Sequence, residues 1–407
     1  MHIKKEVHPL QAKKTVAVVT GTRAEFGLLL PVIKQLEASE ILEPRVIVTG
    51  AHLSPAYGCT VKEIEKSGVD IAAKIDILKF GTGALATAHT VAYTIDEFSK
   101  YFAVRRPDMV LVLGDRYEIF AVGTAAAMLS IPLAHISGGD VTKGAADEYF
   151  RHSLTKMASI HFPSCDEYAR RVIAMGENPA TVHNVGGLGD ENLRNIKTFS
   201  RSRLEASIGF SLKDPFALVT FHPETAGGKD PSQQFNALLS ALDKSGLNCI
   251  FTKANADAGG SEINALIDEA VEQNSEKYVA FTSMGLVRYL SAMKLCAVVI
   301  GNSSSGVVET PTLGVPCINI GSRQSGRIMC QNVICTSADE NEISAAIQKS
   351  LSPEFIKEAR QTKSPYNGGE TSKHIVNWLG KYLQSDNFGA PKEFYDAKKE
   401  ELVTWNR

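Results

Sequence analysis

Short apolar runs that break at a glycine and hand over to a charged residue recur along this chain. They constrain the fold more than any other feature. The run at 109–114, MVLVLG, has the length of a strand buried on both faces of a parallel sheet. It delivers Asp115 and Arg116 just past the strand's carboxyl end. An Ala-rich helical segment to about Leu129 follows, then a second run, IPLAHI, and a glycine-rich loop with Asp140. A further loop carries Asp147 and Glu148 into a segment where Arg151 and His152 lie one turn on. Charged groups delivered repeatedly to one edge of a sheet mark the place where α/β enzymes do chemistry. The catalytic floor is expected there.

The alternation extends in both directions. TVAVVT (15–20) reads as a first strand, followed by the turn GTRAEFG and the helical spacing of LLLPVIKQLEAS. A helix N-terminus above a sheet favours an anion, and Arg23 adds a fixed positive charge. Neither GxGxxG nor GxxxxGK[ST] occurs. RVIVTG (45–50) and SIHFPS (159–164) read as strands, 85–103 as a helix, and TVHNVG (181–186) as a last strand. Seven βα-like units in about 170 residues indicate one doubly wound domain. His135 and His161 lie in apolar strands and read as hydrogen-bonded core histidines, and Lys62, Glu63, Glu65 and Lys66 as a solvated helix face.

The second half repeats the pattern. FALVTFHPET (216–225) places His222 and Glu224 at its tip. Helices are expected at 231–245, 261–274 and 286–293, and strands at 247–253, 278–282 and 296–301. NSSSGVVE then reads as a Ser/Gly turn opening a helix with Glu309 in its second turn. Such a turn can cradle a phosphate, or can simply be an N-cap supplied by Ser303 or Ser304. Arg323 and Arg327 follow VPCINIG, and TSKHIVNWLGKYLQ (371–384) reads as a terminal helix. The expected organisation is a tail at 1–14, a first Rossmann-like domain at 15–187, a second at 188–370, and a helix and tail at 371–407 returning to the first.

A chain of 407 residues exceeds one ordinary core, in keeping with two domains. The 44% apolar and 22% charged content is that of a soluble globular protein, and a net charge of −2 gives no electrostatic argument for nucleic acid or an anionic membrane, so neither is expected as a partner. Seven cysteines without a CxxC pair fit reduced thiols, each a small buried hydrophobe. The charged opening segment lacks a signal-peptide core, and no apolar run approaches the ~20 residues that span a bilayer. A cytoplasmic location is expected. Two Rossmann-like domains facing each other across a central cleft make the GT-B architecture. The spacing therefore points to a nucleotide-sugar enzyme with no metal and no cofactor.

GTRAEFGLLLPVI, VLVLGDRYE, HISGGDVTKGAADEYFRHSLTKMA, FHPET and IGNSSSGVVETPTLGVPCINIGSRQSGR together resemble the UDP-N-acetylglucosamine 2-epimerase family, from about 15 to 385. The GGD…DE..RHS segment resembles its hydrolysing branch, which makes N-acetylmannosamine-type sugars for sialic acid and related nonulosonates. The resemblance implies removal of the C2 proton, departure of UDP from C1 to leave a glycal, and addition of water. It implies catalytic acids at Asp115 and Asp147; Asp140 or Glu148 can share the role of the glutamate that Ser137 replaces, and His152, one turn from Glu148, either orients a carboxylate or caps the far face of its helix. It implies UDP contacts at Arg23, Arg116, His222, Asn255, Ser303, Ser304, Glu309 and Arg323, with a uracil contact near the Met284 backbone. Glu309 would accept hydrogen bonds from ribose hydroxyls. Ser137 stands where hydrolysing members often carry glutamate, which opens a second substrate: a UDP-2,4-diacetamido-2,4,6-trideoxyhexose of the legionaminic type. A GT-B glycosyltransferase and a non-catalytic UDP-sugar sensor are the competing readings. A homodimer or homotetramer is the expected assembly.

Overall fold

The computed structural model describes residues 12–81, 83–142, 146–224, 230–254, 259–386 and 388–397. Contacts divide the chain into two units, one formed by residues up to 140, 149–188 and from 368 onward, the other by 141–148 and 189–367. Each unit carries a six-stranded parallel sheet.

The first sheet contains β1 (Lys14–Thr20), β2 (Leu42–Thr49), β3 (Ile71–Ile75), β4 (Met109–Leu113), β5 (Leu133–Ile136) and β6 (Ile160–Phe162), in the order β3-β2-β1-β4-β5-β6. Every residue of β4 is buried. Its alternate side chains feed different cores: Met109 and Leu111 pack with Val16, Val18 and Val46, whereas Val110 and Val112 pack with Ala17, Val19 and Ile47. A period of two with both faces apolar is what helices on both sides of a sheet require. Ile375, Val376, Leu379 and Leu383 of the helix Thr371–Leu383 join the first of these cores.

The second sheet contains β7 (Phe216–Thr220), β8 (Asn248–Thr252), β9 (Tyr278–Phe281), β10 (Val298–Gly301), β11 (Cys317–Ile320) and β12 (Val333–Thr336), in the order β12-β11-β10-β7-β8-β9. In each sheet the order reverses next to the first strand of the unit, between β1 and β4 and between β10 and β7. Crevices at the carboxyl ends of such switch points are where open α/β sheets take ligands.

Three expectations change. Residues 181–186 do not form a strand, so the first sheet closes at six. Pro179–Thr181 is a 3₁₀ turn, Val182 makes a single bridge to His161, and His183 stacks on Trp378 with ring centroids 3.7 Å apart. The polar segment after Gly187 is helical at Leu188–Asn195 and Arg201–Ile208. Of the seven free cysteines four are buried, whereas Cys335 is exposed. Among the described residues, no helix is long and apolar enough to cross a membrane, and no three metal-ligating side chains converge.

The buried histidines make the fold sensitive to acid. His135 is fully buried, its Nε2 2.8 Å from the Gly114 carbonyl, and His52 lies between Thr20 Oγ1 at 3.0 Å and Thr60 Oγ1 at 2.8 Å. Burial lowers both from 6.5 to about 4. Between those values the unfolded imidazoles bind protons that the folded ones refuse, so stability falls as pH falls through the window. From pH 7 to pH 5 each such histidine is expected to cost about 2 kcal/mol. Urea unfolding at the two pH values should show the loss reduced by about that amount in His135→Gln. An equal loss in variant and wild type would contradict the assignment.

Candidate active site

In the first unit, β1 stops at Thr20 and the chain turns through Gly21 into the helix Arg23–Glu37. Thr22 caps that helix reciprocally. Its hydroxyl accepts the Glu25 N–H at 3.3 Å, and Glu25 Oε2 accepts the N–H groups of Thr22 at 3.0 Å and Gly21 at 2.7 Å. Gly50 (φ +58°) packs against this turn so closely that a Cβ would lie 2.9 Å from the Gly21 carbonyl oxygen. Arg23 forms an ion pair with Glu63, Nε to Oε2 2.9 Å, with both side chains about half exposed. Glu63 is therefore a partner as well as a member of a solvated face. Exposed pairs of this kind are worth only ~0–1 kcal/mol.

β4 delivers Asp115 and Arg116 through Gly114 (φ +81°). Arg151 from the helix Asp147–Met157 is 1% exposed and meets Asp115 from behind. Its Nε donates to Asp115 Oδ2 at 2.9 Å, its Nη2 donates to the same oxygen, and its Nη1 donates to the Asp140 carbonyl at 3.0 Å. Arg116 Nε donates to Glu118 Oε1 at 2.5 Å and lies 4.0 Å from Glu25 Oε1. Glu25 is 8% and Glu118 1% exposed. Burial, followed by the charge of Glu118, raises the Glu25 carboxyl to about 7.

Ser137 adopts a left-handed backbone (φ +65°), uncommon for a residue with a Cβ, and donates its N–H to Phe162 at 3.0 Å. Glu148 accepts the Thr142 N–H at 2.5 Å, which ties it to its own loop. Asp147 stands exposed in the first turn of its helix, and His152 is half-buried one turn on.

In the second unit, β7 and β10 touch at their ends. Gly301 (φ +138°) would bring a Cβ to 1.9 Å from the Thr220 carbonyl oxygen. Asn302 then acts as a surrogate strand partner: its Oδ1 accepts the His222 N–H at 2.7 Å and its Nδ2 donates to the His222 carbonyl at 2.8 Å. The Asn302 carbonyl accepts Arg323 Nη1 at 3.1 Å and Gln324 Nε2 at 2.8 Å. Glu224 accepts the Ser322 N–H at 2.5 Å and the Arg323 N–H at 3.0 Å. His222, Asn302 and Arg323 thus sit together around the β7/β10 switch point.

The serine turn differs from expectation. Ser303 is the N-cap without a side-chain cap bond, and the helix Ser304–Val308 is only five residues long. Glu309 therefore sits at the junction with the helix Thr310–Leu313 rather than in a second turn. Its Oε2 is shut off from solvent without a hydrogen-bond partner, and burial raises the carboxyl to about 7. An orphan acceptor of this kind fits a hydroxyl donor. Met284 is buried, and its carbonyl accepts Arg288 Nε at 2.6 Å, which leaves one lone pair. Asn255 lies outside the described residues.

The sequence reading passes over Glu25, Glu118, Asn302 and Gln324. Only Glu25 carries a legible signal, the Thr22-x-x-Glu25 capping box. The burial of Glu118 and the strand-mimicking role of Asn302 depend on contacts distant in sequence.

The family profile for UDP-N-acetylglucosamine 2-epimerase matches residues 34–380. The GDP/UDP-N,N'-diacetylbacillosamine 2-epimerase (hydrolyzing) of Campylobacter jejuni is 38% identical over 345 residues, covering 84% of this chain and 89% of that protein. The polysialic acid biosynthesis protein P7 of Escherichia coli is 36% identical over 385 residues, covering 94% and 97%. The crystal structure of UDP-GlcNAc 2-epimerase from Neisseria meningitidis bound to UDP-GlcNAc superposes with a TM-score of 0.77 at 18% identity, covering 90% of this chain and 100% of that one. That likeness speaks for the fold, and the match over most of the sequence establishes kinship: this chain belongs to the UDP-N-acetylglucosamine 2-epimerase family.

Proposed function

We propose that the chain is a hydrolysing nucleotide-sugar 2-epimerase whose substrate is a UDP-linked 2,4-diacetamido-2,4,6-trideoxyhexose. The observation that carries the reaction type is Asp115, delivered by β4 to the switch point and held by the buried Arg151. A carboxylate fixed in this way can exchange a proton without moving. Asp147 serves as its counterpart, and Asp140, Glu148 and His152 support the two. The second unit grips UDP: Glu309 Oε2 accepts a ribose hydroxyl, the Met284 carbonyl accepts from the uracil, and Arg323, His222, Ser303 and Ser304 face the diphosphate; in the first unit Arg23 and Arg116 offer cations to a phosphate. In the reaction a base takes the C2 proton, the C1–O bond breaks as UDP departs, and water adds to the glycal to give the free manno sugar.

The Campylobacter relative supports the diacetamido substrate, as does the short, uncharged Ser137. UDP-N-acetylglucosamine is the second reading, favoured by the polysialic acid relative. Turnover of both compounds in D₂O, followed by NMR, tests the proposal. Expected are free manno-configured sugar, one UDP per turnover, deuterium at C2, and a kcat/KM at least about tenfold higher for the diacetamido compound. The reverse preference assigns the chain to UDP-N-acetylglucosamine. Protium retained at C2 would point to a glycosyltransferase or simple hydrolase. Epimer still joined to UDP would point to non-hydrolysing chemistry, and binding without turnover to a sensor.

A further inference from the structure

Two buried carboxyl groups stand behind Arg116, and the proposed reaction leaves both unused. Glu25 Oε1 and Glu118 Oε2 are each shut off from solvent without a hydrogen-bond partner. Both side chains crowd the same turn: a Cβ on Gly21 would lie 3.1 Å from Glu118 Cγ, 3.3 Å from Glu118 Oε1 and 3.4 Å from Glu25 Oε2. The Arg116 side chain is 44% exposed, against 10% for Glu25 and 2% for Glu118, so it reaches from the carboxyl pair to solvent. Two ionised carboxylates beside one guanidinium would leave a net negative charge in a desolvated pocket, which favours retention of one proton.

We propose that Glu25 holds a proton beside Arg116 and Glu118, and that the two carboxyl groups act as a positioning pair for Arg116, clamping its Nε edge so that the rest of the guanidinium meets an anionic group of the nucleotide. With the proton present the cluster is neutral and Arg116 is available to the ligand. With the proton lost, two carboxylates compete with the phosphate for one cation. The charged and titratable neighbours are few. Arg116, the N-cap, and Glu118 face Glu25 from the start of the helix Tyr117–Met128, the Tyr117 ring centroid lies 5.8 Å from the Arg116 guanidinium carbon, and His52 donates its N–H to the Gly21 carbonyl of the same turn, its imidazole neutral because burial lowers it to about 4. Arg23, on the helix of Glu25, pairs with Glu63. Burial and the neighbouring Glu118 raise Glu25 to about 7, which puts the transition in an accessible range.

The inference rests on the assignment of Arg116 to the diphosphate, and the test separates the two. Binding of UDP is measured by calorimetry from about pH 6 to about pH 8.5 for wild type, Glu25→Gln, Glu118→Gln, Gly21→Ala and Arg116→Ala. Gln at 25 mimics the protonated acid and keeps an oxygen for the capping box. Wild-type Kd should rise about tenfold across the range, and that of Glu25→Gln less than about twofold. Glu118→Gln should raise Kd about tenfold at pH 6 and raise KM more than it lowers kcat. Gly21→Ala, which keeps both carboxyls but wedges them apart, should weaken UDP binding in the same direction. A protonated-carboxyl infrared band that disappears on raising the pH, and is missing in Glu25→Gln, provides a readout independent of binding. Parallel pH profiles in wild type and Glu25→Gln, or unchanged affinity in Glu118→Gln and Gly21→Ala, would overturn the pair. Unchanged affinity in Arg116→Ala would instead overturn the diphosphate assignment.

Discussion

Asp115→Asn and Asp147→Asn are each expected to lower kcat by at least about 10²-fold with UDP affinity little changed, the usual scale for losing a general acid or base. The two substitutions remove charge and proton capacity while keeping side-chain shape. At 115 the amide can still accept from Arg151 Nε, now 2.9 Å from Oδ2, so local geometry should survive. At 147 the side chain is exposed in the first turn of a helix, so the amide should leave packing undisturbed. Single-turnover rates with the nucleotide sugar, beside calorimetric binding of UDP, give the split. Near-normal turnover in both variants would remove these residues from the reaction. A Kd for UDP rising as far as kcat falls would make them binding groups instead.

The strands buried on both faces were legible because burial leaves a continuous apolar run: MVLVL of β4 and FALVT of β7 are buried at every position. The edge strands were not. In β3, IAAKI, exposed and half-buried residues alternate, and a short alternating run with a lysine does not stand out from a loop. β12, VICT, is half-exposed for the same reason. The candidate residues were found where a glycine ends a buried strand, as at Gly114 before Asp115. Their partners were not, because pairing joins positions far apart in the chain. Arg151 reaches Asp115 from 36 residues on, and Asn302 pairs with His222 from 80 residues on. Nothing local in NSSSGVVE announced that the helix breaks at Glu309, yet the break accompanies a carboxyl oxygen left without a donor.

Arg151→Met is expected to cost both activity and stability, and the two losses have separable causes. The guanidinium is 1% exposed and uses three nitrogens on two acceptors, the Asp115 carboxylate and the Asp140 carbonyl. Removing one partner of a buried pair typically costs about 3–5 kcal/mol, because the remaining charge keeps its desolvation and loses its compensation. Asp115 retains 28% side-chain exposure and can take up water, so the lower end of that range is expected here. Activity should fall further than stability predicts. Without Arg151 the Asp115 carboxylate can rotate out of the alignment that proton transfer requires. A kcat lowered by at least about 10²-fold at a temperature where the variant remains folded is the expected result. Arg151→Lys discriminates between the causes. It restores the charge but cannot reach both acceptors with a planar fork, so it should recover part of the stability and little of the rate. Full recovery of kcat by lysine would mean that charge alone matters, and the positioning role of the fork would be lost.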